Sequence, residues 1–177
     1  MVAGRMVSAQ QNKNAPDIML REMEKDDIDA VLEIERACFS HPWKRAHFQE
    51  HLQYRPLAEG WLAEREEEIV GFLLSWYIAI YAQATGEVHI LNIAVKPQWQ
   101  RNGIGVTLLN RAVRYGMAMQ CEMATLEVRE SNLAAQGFYR KFNFQVTGRR
   151  NNYYGSEDAL IMEASLPGVI QAINGGT

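Results

Sequence analysis

The 177-residue chain is poor in the features that mark several large classes of protein. Its two cysteines, Cys38 and Cys121, lie far apart in separate helical contexts and at no metal-ligand spacing. They read as reduced cytoplasmic thiols rather than as a disulfide framework or a metal centre. No apolar run is long enough to span a bilayer, so no membrane role is expected. Met1 to Pro16 is polar, carries Arg5 and Lys13 and lacks the apolar stretch of a secretory signal; residues 1–16 read as a flexible extension. A formal net charge of -3, with no strong basic cluster outside Arg149-Arg150, argues against direct nucleic-acid binding. Internal repeats and linkers are also missing. What is present is 47% hydrophobic and 22% charged content, the balance of one soluble domain over residues 17–166. Pro167 and the Gly175-Gly176 ending mark 167–177 as a flexible tail.

Periodicity orders that domain. Ile18 to Met23 reads as a strand, and Asp26 as the N-cap of a helix that turns Ile28, Val31, Leu32 and Ile34 inward and ends near Phe39, before Pro42. A second helix spans Trp43 to Tyr54. Trp61–Arg65 and Ile69–Ile80 read as strands joined through Glu66-Glu67-Glu68, a solvated hairpin tip, and a turn near Thr85-Gly86 leads to a strand over Ile90–Val95. From Gly105, an apolar stripe through Leu108, Leu109, Ala112, Val113, Gly116 and Met117 predicts a helix. Ala124–Val128 is a strand, Asn132–Lys141 a helix, Phe144–Thr147 with Tyr153-Tyr154 a strand, and Ala159–Ala164 the last strand. The order β-α-α-β-β-β-α-β-α-β-β predicts an α/β mixed sheet, antiparallel first and then carrying one right-handed parallel crossover.

The segment between Val95 and Leu108 carries the first functional signal. Strand, glycine loop and helix N-terminus make an anion site, because unpaired backbone N–H groups point outward and Gly103 and Gly105 permit close approach. A Walker A loop is excluded, since Val106-Thr107 follows where Lys-Ser/Thr is needed. A dinucleotide fingerprint fails because Leu108 holds the place of its third glycine. A plain βα turn without a ligand stays open on the loop alone.

The second signal is Glu127, a carboxylate among the apolar residues of a strand. One reading pairs it outward with Arg129; the other makes it a general base whose partial burial raises its pKa. On the next helix Asn132, Ala135, Gln136 and Tyr139 share a face, while Phe138 and Phe142 mark the apolar one. Tyr139 is either a half-buried aromatic with its hydroxyl on a carbonyl, or an acid for a leaving group.

Together these stretches resemble the GNAT acyltransferases over about Ile18 to Ala164. The resemblance rests on Asn92-Ile93-Ala94-Val95-Lys96-Pro97, on Gln100-Arg101-Asn102-Gly103-Ile104-Gly105, and on Leu126-Glu127-Val128-Arg129 followed by Asn132, Ala135 and Tyr139. It implies acetyl-coenzyme A as co-substrate, no metal, and central strands that splay apart. Ile93, Ala94 and Val95 would give backbone contacts to the pantetheine arm. Arg101, Asn102, Gly103, Ile104, Gly105 and Val106 would hold the pyrophosphate, and Asn132 would touch the coenzyme. Glu127 would be the base and Tyr139 the acid.

Within that family the chain is most similar to the RimI-type ribosomal-protein alanine N-acetyltransferases, through Phe39 to Trp43 and Arg149 to Met162 as well. The acceptor implied is a protein or peptide N-terminus, a ribosomal protein being one candidate, and the compartment the cytoplasm. Trp43 and Tyr154 are candidate acceptor-site residues, although Trp43 also fits a plug at the helix–helix corner. Gln136 stands where an apolar residue is more usual and is expected on the acceptor side. Asn143 replaces a glycine but tolerates the same left-handed cap. A small-amine or lysine acceptor, or a coenzyme-binding module without turnover, are the rival readings.

Overall fold

The computed structural model describes residues 17–78 and 86–176. Met1 to Pro16, expected as a flexible extension, lies outside them, as do Ile80, Thr85 and Thr177. Seven strands and five α-helices follow the predicted order with one addition: β1 (Met19–Glu22), α1 (Ile28–Cys38), α2 (Arg45–His51), β2 (Ala58–Arg65), β3 (Glu68–Ile78), β4 (Gly86–Val95), α3 (Ile104–Ala118), β5 (Cys121–Arg129), α4 (Leu133–Arg140), β6 (Gln145–Arg150), β7 (Ala159–Ser165) and α5 (Leu166–Gly175). The strands form one mixed sheet in the order β1-β2-β3-β4-β5-β7-β6. The parallel ladder between β4 and β5 runs from Gly86↔Cys121 to Ile90↔Leu126, whereas β4 continues to Val95 and β5 to Arg129. The expected parting of the central strands is this end of the ladder.

Chain contacts divide the molecule into two compact units, Met1–Leu74 with Asn92–Leu109 and Ser75–Leu91 with Asn110–Thr177. In the first, α1 buries Ile28, Val31, Leu32 and Ile34, and Phe48 of α2 meets Phe72 of β3 edge-on with centroids 6.0 Å apart. Helix α1 is entered through a short 3-10 turn over Lys25–Asp27, one residue later than the Asp26 cap predicts. Asp27 is used instead: its carboxylate accepts from the Glu24 N–H and from Arg21, both at 2.7 Å. Phe39 is extended and ends the helix three residues before Pro42. Helix α2 is shorter than predicted, because Trp43 stands before it and Leu52–Tyr54 tightens into a 3-10 turn.

In the second unit β5 is the middle of the sheet, parallel to β4 and antiparallel to β7. Strict alternation sorts its residues: Ala124, Leu126 and Val128 are buried with Val88, Ile90, Met162 and Ala164 on one face. Helix α3 packs on that face so closely that a β-carbon at Gly116 would stand 2.1 Å from a methyl of Val88. Cys121 opens β5 rather than lying in a helix, and both cysteines are free.

Two sequence expectations are corrected here. Tyr153 and Tyr154 are not strand residues: β6 ends at Arg150 and they sit in the connection to β7. Residues 166–175 are no flexible tail but helix α5, with Leu166 and Val169 buried. Ser165 caps it by accepting the Gly168 N–H at 3.2 Å, and Pro167 falls in the first turn, where a missing N–H costs nothing. Asn143, at φ +65°, donates to the Gly168 carbonyl at 2.9 Å and holds the start of α5. Pro167 was a start signal, not a breaker.

Two of the helical glycines, Gly116 and Gly137, should respond oppositely to alanine. At Gly137 nothing lies within 4 Å, so the alanine variant should gain about 0.5–1 kcal/mol from helix propensity. At Gly116 the Val88 clash should reverse that gain and cost about 1–3 kcal/mol. Urea denaturation of both variants measures the difference in sign; equal stabilisation by both would contradict the packing.

Candidate active site

The glycine loop belongs to the first unit. After β4 the chain makes a 3-10 turn over Pro97–Trp99, takes left-handed angles at Arg101 (φ +65°) and Gly103 (φ +79°), and enters α3 at Ile104. The first helical bond runs from the Thr107 N–H to the Gly103 carbonyl at 3.0 Å. The N–H groups of Gly103, Ile104, Gly105 and Val106 therefore remain without acceptors among the described residues, at the positive end of the helix dipole. The space beside Gly103 is open to 4 Å. This cradle fits a pyrophosphate held by backbone. The Ile104 side chain is buried, so this residue offers the cradle only its N–H. The Asn102 amide is turned into the loop, donating to the Trp99 and Gln100 carbonyls at 3.2 Å, so its side chain shapes the loop. The Val95 carbonyl already accepts from Gln100 at 3.0 Å and from the Cys38 thiol at 3.3 Å.

The same unit holds a buried carboxylate that the sequence reading passed over. Glu35 is 1% exposed and accepts from the Trp43 N–H at 2.8 Å and the Asn92 amide at 3.0 Å. Burial pushes its carboxyl up, against those two hydrogen bonds. The signal was available: Glu35 continues the i, i+3, i+4, i+7 stripe of Ile28, Val31 and Leu32, where a carboxylate needs partners. Trp43 takes the corner-plug position, its ring 5.6 Å from those of Phe48 and His47.

The titratable cluster lies in the second unit. The Glu127 side chain is 8% exposed, and its two oxygens are held by different partners: Oε2 by His89 Nε2 at 2.7 Å and Oε1 by Arg150 at 3.1 Å. Arg129 is not the partner. It pairs with Glu157 at 3.0 Å, and its guanidinium lies 4.0 Å over the ring of Tyr154. The expectation of a raised Glu127 is overturned as well. The His89 hydrogen bond, helped by the charges of His89 and Arg150, outweighs burial and holds this carboxyl below the ordinary range. His89 was unassigned in the sequence because only the parallel register shows that it faces Thr125, beside Glu127 on the same side of the sheet. The Tyr154 hydroxyl donates to the Glu127 carbonyl at 3.2 Å, fastening the β6–β7 connection to the strand, and burial pushes this phenol up to about 12.

Tyr139 is 5% exposed and packs against Phe138 and Phe144, with ring centroids 5.2 and 5.3 Å away. Burial, with Tyr154 nearby, drives its pKa far up, so it keeps its proton at neutral pH. Asn132 caps α4 by accepting the Ala135 N–H at 3.0 Å. Gln136 is not an acceptor-side residue: 3% exposed, it donates to the Arg129 and Glu130 carbonyls at 3.2 and 2.8 Å and ties α4 to the end of β5.

With this geometry in view, the comparisons with known proteins agree in one direction. The sequence profile of the acetyltransferase (GNAT) family matches residues 28–144. A Bacillus subtilis protein provisionally assigned as a [ribosomal protein bS18]-alanine N-acetyltransferase is 39% identical over 145 residues, 81% of this chain and 92% of the relative. An N-alpha-acetyltransferase of Sulfurisphaera tokodaii is 31% identical over 162 residues, 87% of this chain and 96% of its own. The crystal structure of the ribosomal-protein-S18-alanine N-acetyltransferase from Escherichia coli superposes with a TM-score of 0.72 at 26% identity, covering 84% of this chain and 94% of that one. A profile match over more than half of the chain, joined to this fold, places the protein in a family: it belongs to the GNAT acetyltransferases.

Proposed function

We propose that the chain transfers an acetyl group from acetyl-coenzyme A to the α-amino group of a protein N-terminus, with ribosomal-protein alanine as the acceptor type. The observation that carries this reading is the carboxylate of Glu127, ionised, shielded and bonded to an imidazole 2.7 Å away. In the proposal the N–H groups of Gly103 to Val106, with Arg101 and the Asn102 backbone, hold the pyrophosphate. Ile93, Ala94 and Val95 offer strand backbone to the pantetheine arm, and the Asn132 amide gives one further contact. Bound there, the coenzyme supplies an acetyl thioester. No metal is needed, because the work left to the protein is positioning and proton movement.

An α-ammonium titrates near ~8 and must lose its proton before its nitrogen can attack a carbonyl. Glu127 takes that proton through water, and its bond to His89 keeps the carboxylate aimed. Tyr139, which holds its proton in a buried site, gives it to the departing thiolate. Trp43 and Tyr154 are the acceptor-side residues proposed in this reading. Tyr154 is held by its bond to the Glu127 carbonyl and by the Arg129 guanidinium over its ring. The catalytic domain is proposed to run from residue 17 through helix α5, which ends at Gly175, and its compartment to be the cytoplasm.

Glu127→Gln should lower kcat by about 10²–10⁴-fold and Tyr139→Phe by a smaller factor, with coenzyme affinity unchanged in both. Short peptides with free and with blocked N-termini serve as acceptors, and thiol release as the readout. Near-normal turnover of both variants, or acetylation of the blocked peptide, counts against the assignment.

Stability gives an independent check. A carboxyl held low in the folded state stabilises the protein above its unfolded pKa, near ~4.3, and loses that contribution as pH falls through the folded value. The stability deficit of Glu127→Gln should therefore be full at neutral pH and shrink on acidification below about pH 4. Urea titrations at a series of pH values measure it; a deficit independent of pH would contradict the ion pairing.

A further inference from the structure

The alternation that buries Val88 and Ile90 turns Glu87 and His89 together to the opposite face of β4. His89 is level with Thr125 of β5, and Thr125 with Glu163 of β7, so Glu163 stands on that face across one strand from His89. Glu127 follows two residues after Thr125. The charged groups facing His89 are thus Glu87 from its own strand, Glu127 from β5 and Glu163 from β7. Arg150 of β6 reaches the far oxygen of Glu127, while Arg129 is turned away to Glu157 and Tyr154. Burial, with the repulsion of Glu163 and Glu127, pushes the Glu87 carboxyl up against the attraction of His89; partly buried, its charge is screened less than that of a surface carboxylate.

The proton balance of acetyl transfer asks for such a surrounding. An ammonium gives up two protons on becoming an amide, the thiolate takes one, and one must leave to solvent. A carboxylate held below its usual range is a poor store for a proton that comes from an amine. Imidazoles, ordinarily near ~6.5, are closer in affinity. We propose that Glu87, with Glu163 behind it, is a positioning residue of this reaction: its charge stabilises the protonated His89–Glu127 pair that forms when the amine gives up its proton. The pair returns one proton to the Tyr139 phenolate and releases the other to water. This proposal rests on the reading of Glu127 as the base.

The test follows the His89 ring by NMR titration of the full chain, its resonance assigned by its loss in His89→Asn. Glu87→Gln should move the His89 midpoint to lower pH by about half a unit to one unit, the size expected for one charge ~7 Å away. The sign is set by the loss of a negative charge that favoured imidazolium. The acid limb of kcat/KM should move the same way, with kcat down ~3–10-fold and KM for the coenzyme unchanged. Glu163→Gln should give a smaller shift in the same direction, and Glu87→Asp should restore most of the midpoint. A midpoint and an acid limb that stay in place in Glu87→Gln, while Glu127→Gln is inactive, overturn the proposal alone. Undiminished turnover of Glu127→Gln removes the base and the proposal together.

Discussion

A carboxylate inside a sheet is tolerated only when something holds it, and the structure around β5 depends on how Glu127 is held. Removing an ionised carboxyl from water costs several kcal/mol unless partners replace the lost solvation. His89 and Arg150 each take one oxygen, at 2.7 and 3.1 Å, and come from β4 and β6 on opposite sides of the strand. Four strands, β4, β5, β7 and β6, must therefore be in register before the group can be both buried and charged. The same contact is a folding requirement and the setting of the proposed base.

The surroundings divide by unit. Glu127, His89, Glu87, Glu163, Arg150, Tyr139 and Tyr154 belong to the unit built around β5, in which buried aromatic groups keep the phenols protonated. The cradle of N–H groups from Gly103 to Val106, without acceptors among the described residues, belongs to the other unit, where Glu35 ties Trp43 to Asn92 near the end of the strand leading to it. Each unit uses one shielded carboxylate, but to opposite effect. Glu127 is drawn low by an imidazole and a guanidinium, whereas Glu35, given only neutral donors, is pushed up by burial. Charge on the partner, more than depth, decides the direction.

Much of this was legible in the chain. The period of α3, the glycines at 103 and 105, the alternation around Glu127 and the spacing from Asn132 to Tyr139 are local patterns, and local patterns survive without coordinates. Other features were misread for identifiable reasons. Pro167 looked like a stop because its value at a helix start depends on the cap at Ser165 just before it. Gln136 looked like a ligand contact because a sequence does not show that two strand-end carbonyls lie beneath it. Glu35 was overlooked although its place in an apolar stripe was visible.

The sequence by itself determined the element order as far as β7, a glycine-flanked helix start, and the identity of a carboxyl and a phenol on neighbouring elements. These follow from periodicities of two and 3.6 residues and from the freedom of glycine, which act over a few residues. Only the tertiary structure decided what Glu127 is bonded to and which way its proton affinity moves. His89 and Glu127 are 38 residues apart in the chain, and a parallel ladder brings them together through its register. Register is a property of two strands at once, and a one-residue slip would turn His89 to the opposite face.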